Sequence, residues 1–263
     1  MKTWWSRIEI PTHQRLRSLI VAGVGYLASV TLSHAEPIRI AVDNWPPFQY
    51  ETESGFVGID IELAKEIAER MAAELQVLKK PWGRSLKSME TGQVDILTGL
   101  AYREERAKYI AYTDTPYYAC STVFYTAKGE GNDIKTYEDL KRFSIGYVLH
   151  SAYFEPFDSD DAITKVGVAT EDNLMDMLVN KRIKTIVGTD CQVDYYLQTH
   201  NLHQMIEKAE FRPGNTVNLF LGVSKKSPWA AQLDEFNAVV KELVDEGYVL
   251  EASKSYYGTL GVN

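Results

Sequence analysis

Between Ile38 and Leu97, three short apolar runs alternate with two stretches of helical periodicity, and this alternation constrains the fold more than any other feature. Ile38-Arg39-Ile40-Ala41-Val42, Leu75 to Leu78 and Val94-Asp95-Ile96-Leu97 read as buried strands, the last ending at the small, turn-prone Thr98-Gly99. Between the first two, Ile59, Leu63, Ile67 and Met71 recur at helical spacing behind Asp60, which can cap that helix. Leu86 and Met89 then sit on a short helix that Gly92 terminates. The order β-α-β-α-β predicts a largely parallel sheet with helices on its faces. The loop leaving the first strand, Asp43-Asn44-Trp45-Pro46-Pro47-Phe48, is stiffened by its prolines, and Glu53-Ser54-Gly55 reads as a turn.

A second run of the same kind follows a strand at Ser121–Tyr125. Tyr137 to Arg142 is a short helix, and Phe143 to Val148 a strand leading to a helix near Ser151. Ile163 to Val168 is a strand, Thr170 or Glu171 starts a helix carrying Leu174, Met177 and Leu178, and Thr185 to Val187 is a strand ending at Gly188-Thr189-Asp190. A helix with Val193, Tyr196 and Leu197, a strand over Val217–Val223 and a helical stripe of Leu233, Phe236, Val240, Leu243 and Val244 complete the chain. The fold class is therefore α/β, in two lobes.

The first 35 residues read as a cleaved secretory signal peptide: Lys2, Arg7, Arg15 and Arg17, then an uncharged run from Leu19 to Leu32, then Ser33-His34-Ala35. Removing them takes the net charge from −8 to −11, by the loss of four basic residues and Glu9. No basic stripe remains, which argues against nucleic acid as a partner. Cys120 and Cys191 fit no zinc spacing, and an exported chain with an even cysteine count permits one disulfide between them.

Open α/β sheets bind ligands at the carboxyl ends of their strands. Asp43 and Arg106 lie there in the first lobe, Ser151 and Asp190 in the second. Arg106 offers a permanently charged fork of donors suited to a carboxylate, against the plainer reading of a solvated helix face. Trp45 and Trp82 are cleft walls or core. Asp190 is a ligand contact or a helix cap, and Asp43 a contact for a cationic tail or a strand-exit residue.

Several stretches, in order and spacing, carry a family resemblance: Asp43…Trp45-Pro46-Pro47-Phe48, Gly58-Ile59-Asp60-Ile61-Glu62-Leu63-Ala64, Trp82…Leu86…Gly92-Gln93-Val94-Asp95, Glu105-Arg106, Thr115-Pro116-Tyr117-Tyr118, Tyr137-Glu138-Asp139-Leu140, Ile145-Gly146 and Asp190. Over nearly all of Ile38 to Gly258 the chain resembles the extracellular solute-binding proteins of polar amino-acid ABC importers. The resemblance implies the two-lobed type II periplasmic-binding-protein fold, with residues 36–120 plus 222–263 as the first lobe, 121–221 as the second, and two crossing strands between them. It implies that Arg106 pairs with the ligand's α-carboxylate, that Asp190 takes its ammonium group, and that Trp45 and Trp82 sandwich its side chain. Thr98, Gly99 and Ala101 would form the carboxylate cradle, although family members often carry hydroxyls where this chain has Gly99, Ala101 and Arg103. Arg103 is a second cation near the site or a solvent-facing residue. His150 stands where a glycine usually precedes the second-lobe helix, and either contacts ligand or lies in a surface turn.

The expectation is a periplasmic, monomeric binding protein without cofactor, metal or catalytic residue, delivering a small polar or zwitterionic ligand to the membrane permease of an ABC importer. The alternatives are an exported dehydratase acting on cyclohexadienyl acids, with His150 or a cleft glutamate as its acid, and a sensor that presents ligand to a membrane receptor.

Overall fold

The computed structural model describes residues 36–258; the expected leader and cleavage site fall outside them. The chain opens with β1 (Ile38–Val42), the hairpin β2 (Tyr50–Thr52) and β3 (Gly55–Val57), α1 (Ile59–Arg70), β4 (Leu75–Lys79), α2 (Trp82–Thr91), β5 (Ile96–Leu100), α3 (Glu104–Ala107) and β6 (Ile110–Tyr112). Next come β7 (Tyr118–Ala127), β8 (Ser144–Val148), β9 (Thr164–Val168), α4 (Glu171–Val179), β10 (Thr185–Thr189), α5 (Asp190–Thr199) and β11 (Ile206–Lys208). It closes with β12 (Thr216–Ser224), α6 (Leu233–Asp245) and α7 (Tyr248–Gly258).

The main sheet runs β4-β1-β5-β12-β7-β10-β8-β9. At one end β4, β1 and β5 are parallel, and at the other β10, β8 and β9 are parallel. The long strands β7 and β12 run antiparallel between them. β12 pairs with β5 through Phe220–Val223 and with β7 through Thr216–Leu219, while β7 turns its Thr122–Thr126 segment to β10. Each long strand therefore starts in one half of the molecule and ends in the other. The Cys120–Cys191 disulfide ties β7, at its crossing, to the first turn of α5.

Each half buries both faces of its sheet. In the first, Ile38, Ile40 and Val42 point into a core with α1, α6 and α7, while Ala41 and Leu97 face Leu86 and Met89 of α2. In the second, Val123, Tyr125 and Ile186 pack against α4 and α5, while Phe124 and Val187 meet Phe157 and Ile163 on the opposite face. Strands covered on both faces have no polar side to alternate with, and so appear in the sequence as nearly continuous apolar runs.

Three expectations about local structure are corrected. The third strand is β5 at Ile96–Leu100, two residues later than the apolar run suggests, because β12 continues the ladder as far as Leu100. It runs through Gly99, whose φ of 68° accommodates a shift of register opposite Phe220 and Gly222. Asp60 does not cap α1. The cap position is Gly58, without a side-chain hydrogen bond, and Asp60 turns inward to accept from the Tyr117 hydroxyl at 2.7 Å. Finally, no helix starts near Ser151. The chain there is irregular, with Tyr153 and Phe157 anchored in the core.

Candidate ligand-binding site

Parallel strands of both halves deliver their carboxyl ends to one cavity of about 100 Å³. That is room for a small solute rather than a single water. Asp43 and Trp45 follow β1, Trp82 follows β4, and Thr98, Gly99 and Ala101 come from β5. Facing them are Ser151 and Tyr153 after β8, Thr170 and Glu171 after β9, and Thr189 at the end of β10; the crossing strand β12 adds Val217 and Leu219.

Arg106 lies in the wall of this cavity, only 8% exposed. Its Nη1 donates to the Ala101 carbonyl at 3.2 Å and its Nη2 to the His150 carbonyl at 2.6 Å, and its guanidinium carbon lies 5.6 Å from the Trp82 ring centroid. These partners are neutral, and no carboxylate of the described residues forms an ion pair with it. Burial draws its pKa below the ordinary arginine value, but a guanidinium stays charged regardless. An unneutralised buried cation facing a cavity is an anion receptor.

The other predicted residues sort themselves by what already uses their polar atoms. Asp43 lines the cavity, yet its Oδ2 accepts from the Trp82 backbone N–H and its Oδ1 from that of Asn44, both within 2.9 Å. It thereby supplies the cap that Pro81 cannot give α2. Trp45 stacks on Phe48 with centroids 4.3 Å apart, and both Trp45 and Trp82 are half-buried walls rather than core. A Cβ on Gly99 would meet the Trp45 ring at 2.8 Å, so the strand and the indole pack as closely as glycine allows. The Gly99 N–H is not free for a ligand carboxylate, because it donates to Tyr117 Oη at 2.7 Å. Tyr117 in turn donates to the buried Asp60, whose carboxyl burial pushes up to about 7.

His150 contributes its backbone. Its ring lies over Gly83 and is not part of the cavity wall, while its carbonyl accepts from Arg106 and from Trp82 Nε1 at 3.2 Å. Its φ of 65° explains why glycine is the usual residue there. Arg103 neither faces solvent freely nor enters the cavity: it pairs with Asp158, and with Glu155 at 3.5 Å, in the irregular segment after β8. Asn44 Nδ2 reaches Asp172 at 3.0 Å. The two halves thus touch through several polar contacts around the cavity mouth.

Asp190 is not brought to the cavity. Its Oδ1 accepts the backbone N–H groups of Ser121 and Cys191, each at 2.8 Å, and it borders a separate hollow with Cys120, Cys191 and Tyr257. Besides Asp43, the acidic residue in the wall is Glu171, which the sequence marked only as a helix start. It is half-buried, and its Oε2 is shielded from solvent without a hydrogen-bond partner. Burial, with the neighbouring Asp172 adding to it, pushes its carboxyl up to about 8. Gln49 Oε1, also in the wall, is likewise buried and unpartnered. That Asp190 Oδ1 is occupied and Glu171 Oε2 unpartnered is visible only in three dimensions.

Two α/β lobes bridged by a pair of long strands, with a polar cavity where the strand ends converge, define a two-lobed ligand-binding protein of type II. Residues 38–259 match the model of the bacterial extracellular solute-binding proteins, family 3, and the chain belongs to that family. It is 26% identical over 250 residues to the ABC transporter arginine-binding protein 1 of Escherichia coli, covering 92% of this chain and 99% of that one. It is 25% identical over 222 residues to the arginine-binding extracellular protein ArtP of Bacillus subtilis, covering 81% and 83%. In fold it is similar to the amino acid ABC transporter substrate-binding protein AbpA of Streptococcus pneumoniae bound to L-arginine. The TM-score is 0.75 at 19% identity, covering 87% of this chain and 97% of that one. Among the described residues, no helix is long and apolar enough to cross a membrane.

Proposed function

We propose that this protein, exported by its leader, captures a small amino-acid-like solute in the periplasm and delivers it to the permease of an ABC importer, acting as a monomer. The observation that carries this reading is Arg106, a buried guanidinium in a cavity wall that pairs with no carboxylate among the described residues. The ligand carboxylate would displace or join those carbonyls, with Trp45 and Trp82 covering the rest of the molecule and Thr98, Ala101 and Ser151 lining its path. The lobes would be residues 36–120 plus 222–263 and residues 121–221, flexing at β7 and β12, and bound solute would favour the closed arrangement because only then do both walls reach it. Relatives named for arginine, cystine and histidine support an amino-acid ligand.

A thermal-shift screen of the mature protein against amino acids, organic acids and polyamines tests this. The expected result is a rise in Tm with at least one amino acid and none with polyamines. Stabilisation by polyamines alone would overturn it. A second reading has one observation in its favour: Glu171 is a cavity carboxyl that holds a proton near neutral pH, as the acid of a dehydratase must. Turnover of arogenate or prephenate would establish that activity; saturable binding without product formation rejects it.

A further inference from the structure

We infer that His150, seated in a notch left open by Gly83, is the clasp that holds the second half of the molecule against Arg106 and Trp82, and that it sets how long a captured solute stays bound. This rests on the reading of the cavity as a solute site and concerns release from it rather than recognition. His150 meets the first half in three places. Its carbonyl accepts from Arg106 Nη2 at 2.6 Å and from Trp82 Nε1 at 3.2 Å, and its ring lies over Gly83. Arg106 and Trp82 line the cavity, whereas His150 does not and is exposed, so it grips two wall residues from the solvent side. The bond to Arg106 is charge-assisted and therefore stronger than one between neutral groups. For the halves to part and free a solute, all three contacts must break.

The backbone on both sides is committed to this contact. Leu149 donates its N–H to the Val168 carbonyl at 2.8 Å and Ser151 its N–H to the Val148 carbonyl at 3.1 Å, which ties the turn to β8 and β9. A movement of the clasp is thus a movement of the second half. His150 itself holds φ at 65°, a conformation that is costly for a residue with a side chain and persists only where its surroundings impose it. Across the seam, Gly83 is the second residue of α2, and its φ is not in the left-handed region. Nothing in the helix calls for glycine there, since alanine is the better helix former. The requirement comes from the other half. A Cβ at position 83 would meet His150 Cδ2 at 2.9 Å and Nε2 at 3.3 Å, and the three atoms nearest to it all belong to that ring. Glycine and imidazole fit one another as notch and pin.

The test follows solute release by stopped-flow tryptophan fluorescence in the mature protein, in Gly83→Ala, in His150→Gly and in the double variant. The probes are the twenty common L-amino acids, and those that bind the unmodified protein by calorimetry are carried into the kinetics. With the ring unable to seat, Gly83→Ala should raise koff about tenfold and change kon less than about threefold, the usual division for a contact made only after docking. His150→Gly suits the backbone and keeps the carbonyl, so koff should rise roughly threefold. The double variant decides between a clasp and a helix effect. Without a ring the added Cβ no longer meets the imidazole, and koff should match that of His150→Gly rather than multiply to about thirtyfold. Slower release from the double variant than from Gly83→Ala is a rescue that a purely structural role of Gly83 would not give. Unchanged koff in either single variant (His150→Gly leaves α2 intact), or multiplied effects in the double variant, overturns the inference and leaves solute capture standing. Binding of no amino acid to the unmodified protein overturns the parent reading, and this one with it.

Discussion

The starts of α4 and α5 make an instructive pair. Each helix follows a parallel strand of the same half, and each begins with an acidic residue, Glu171 or Asp190, at its first position. In α5 one carboxylate oxygen, Asp190 Oδ1, is engaged locally, by the Cys191 N–H of its own helix and the Ser121 N–H of the crossing strand, beside a disulfide that holds the two together. In α4 the capping is done by Thr170 instead, which leaves Glu171 unused and turned to the cavity. Position at a strand's carboxyl end brings an acid near the ligand space. Whether its oxygens stay available there depends on which N–H groups reach them first.

The comparison can be broken at several points. It presumes an anion fixed at Arg106, so Arg106→Ala should reduce solute affinity by about 3–5 kcal/mol, measured by calorimetry. Unchanged affinity would remove the reference point for both acids. The disulfide is the structural anchor of the α5 side, closing a loop of 71 residues. Replacing both cysteines by serine should lower unfolding stability by about 2–4 kcal/mol in urea. If stability stays the same, the α5 start is held by Asp190 alone.

A pH series distinguishes the acids further. Glu171 titrates near 8 in the folded chain against an ordinary 4.5. Between those values the native state keeps a proton that the unfolded chain has lost, so stability of the ligand-free protein should fall as pH rises from about 4.5 to about 8. Asp60 acts with the same sign between 3.8 and about 7. Glu171→Gln should recover on the order of 1–3 kcal/mol at pH 8 and flatten the upper part of the profile, the helix dipole accounting for the modest size. An unaltered profile would mean that Glu171 is already ionised without ligand. The smallest effect belongs to Asp190→Ala, which removes an acceptor of two backbone N–H groups. It should cost about 1–2 kcal/mol of stability and little affinity; the reverse pattern would exchange the roles of the two acids.

Much of the architecture was legible because both faces of the central strands are covered. Ile38–Val42, Thr185–Val187 and Val217–Val223 carry mostly apolar runs, as strands covered on both faces do. Gly92 announced the end of α2 through its left-handed conformation, φ 77°. The misreadings share a cause of a different kind. The displaced limits of β5 follow from its pairing with β12, a partner far away in sequence. Asp60 looked like a cap because acids favour helix starts, and only the fold shows Tyr117 waiting on its other side. Arg106 and the two tryptophans were expected near strand ends from type and placement, and the structure puts all three in the cavity wall. That Asp190 lies outside this cavity and Glu171 in its wall was not legible, because it turns on the direction of a carboxylate relative to amides contributed by other segments.

The crossing of β7 and β12 also sets an order of assembly. Phe220 pairs with Leu100, 120 residues earlier in the chain, and α6 and α7 complete the core around β1 only after that. The strands β7 to β11 and the helices α4 and α5 are contiguous and need no such wait. A chain emerging from its amino end can therefore finish the later-made half first, while the earlier-made half stays open until its final helices arrive, since long closures are slower to form than short ones. Synthesis and completion run in opposite directions.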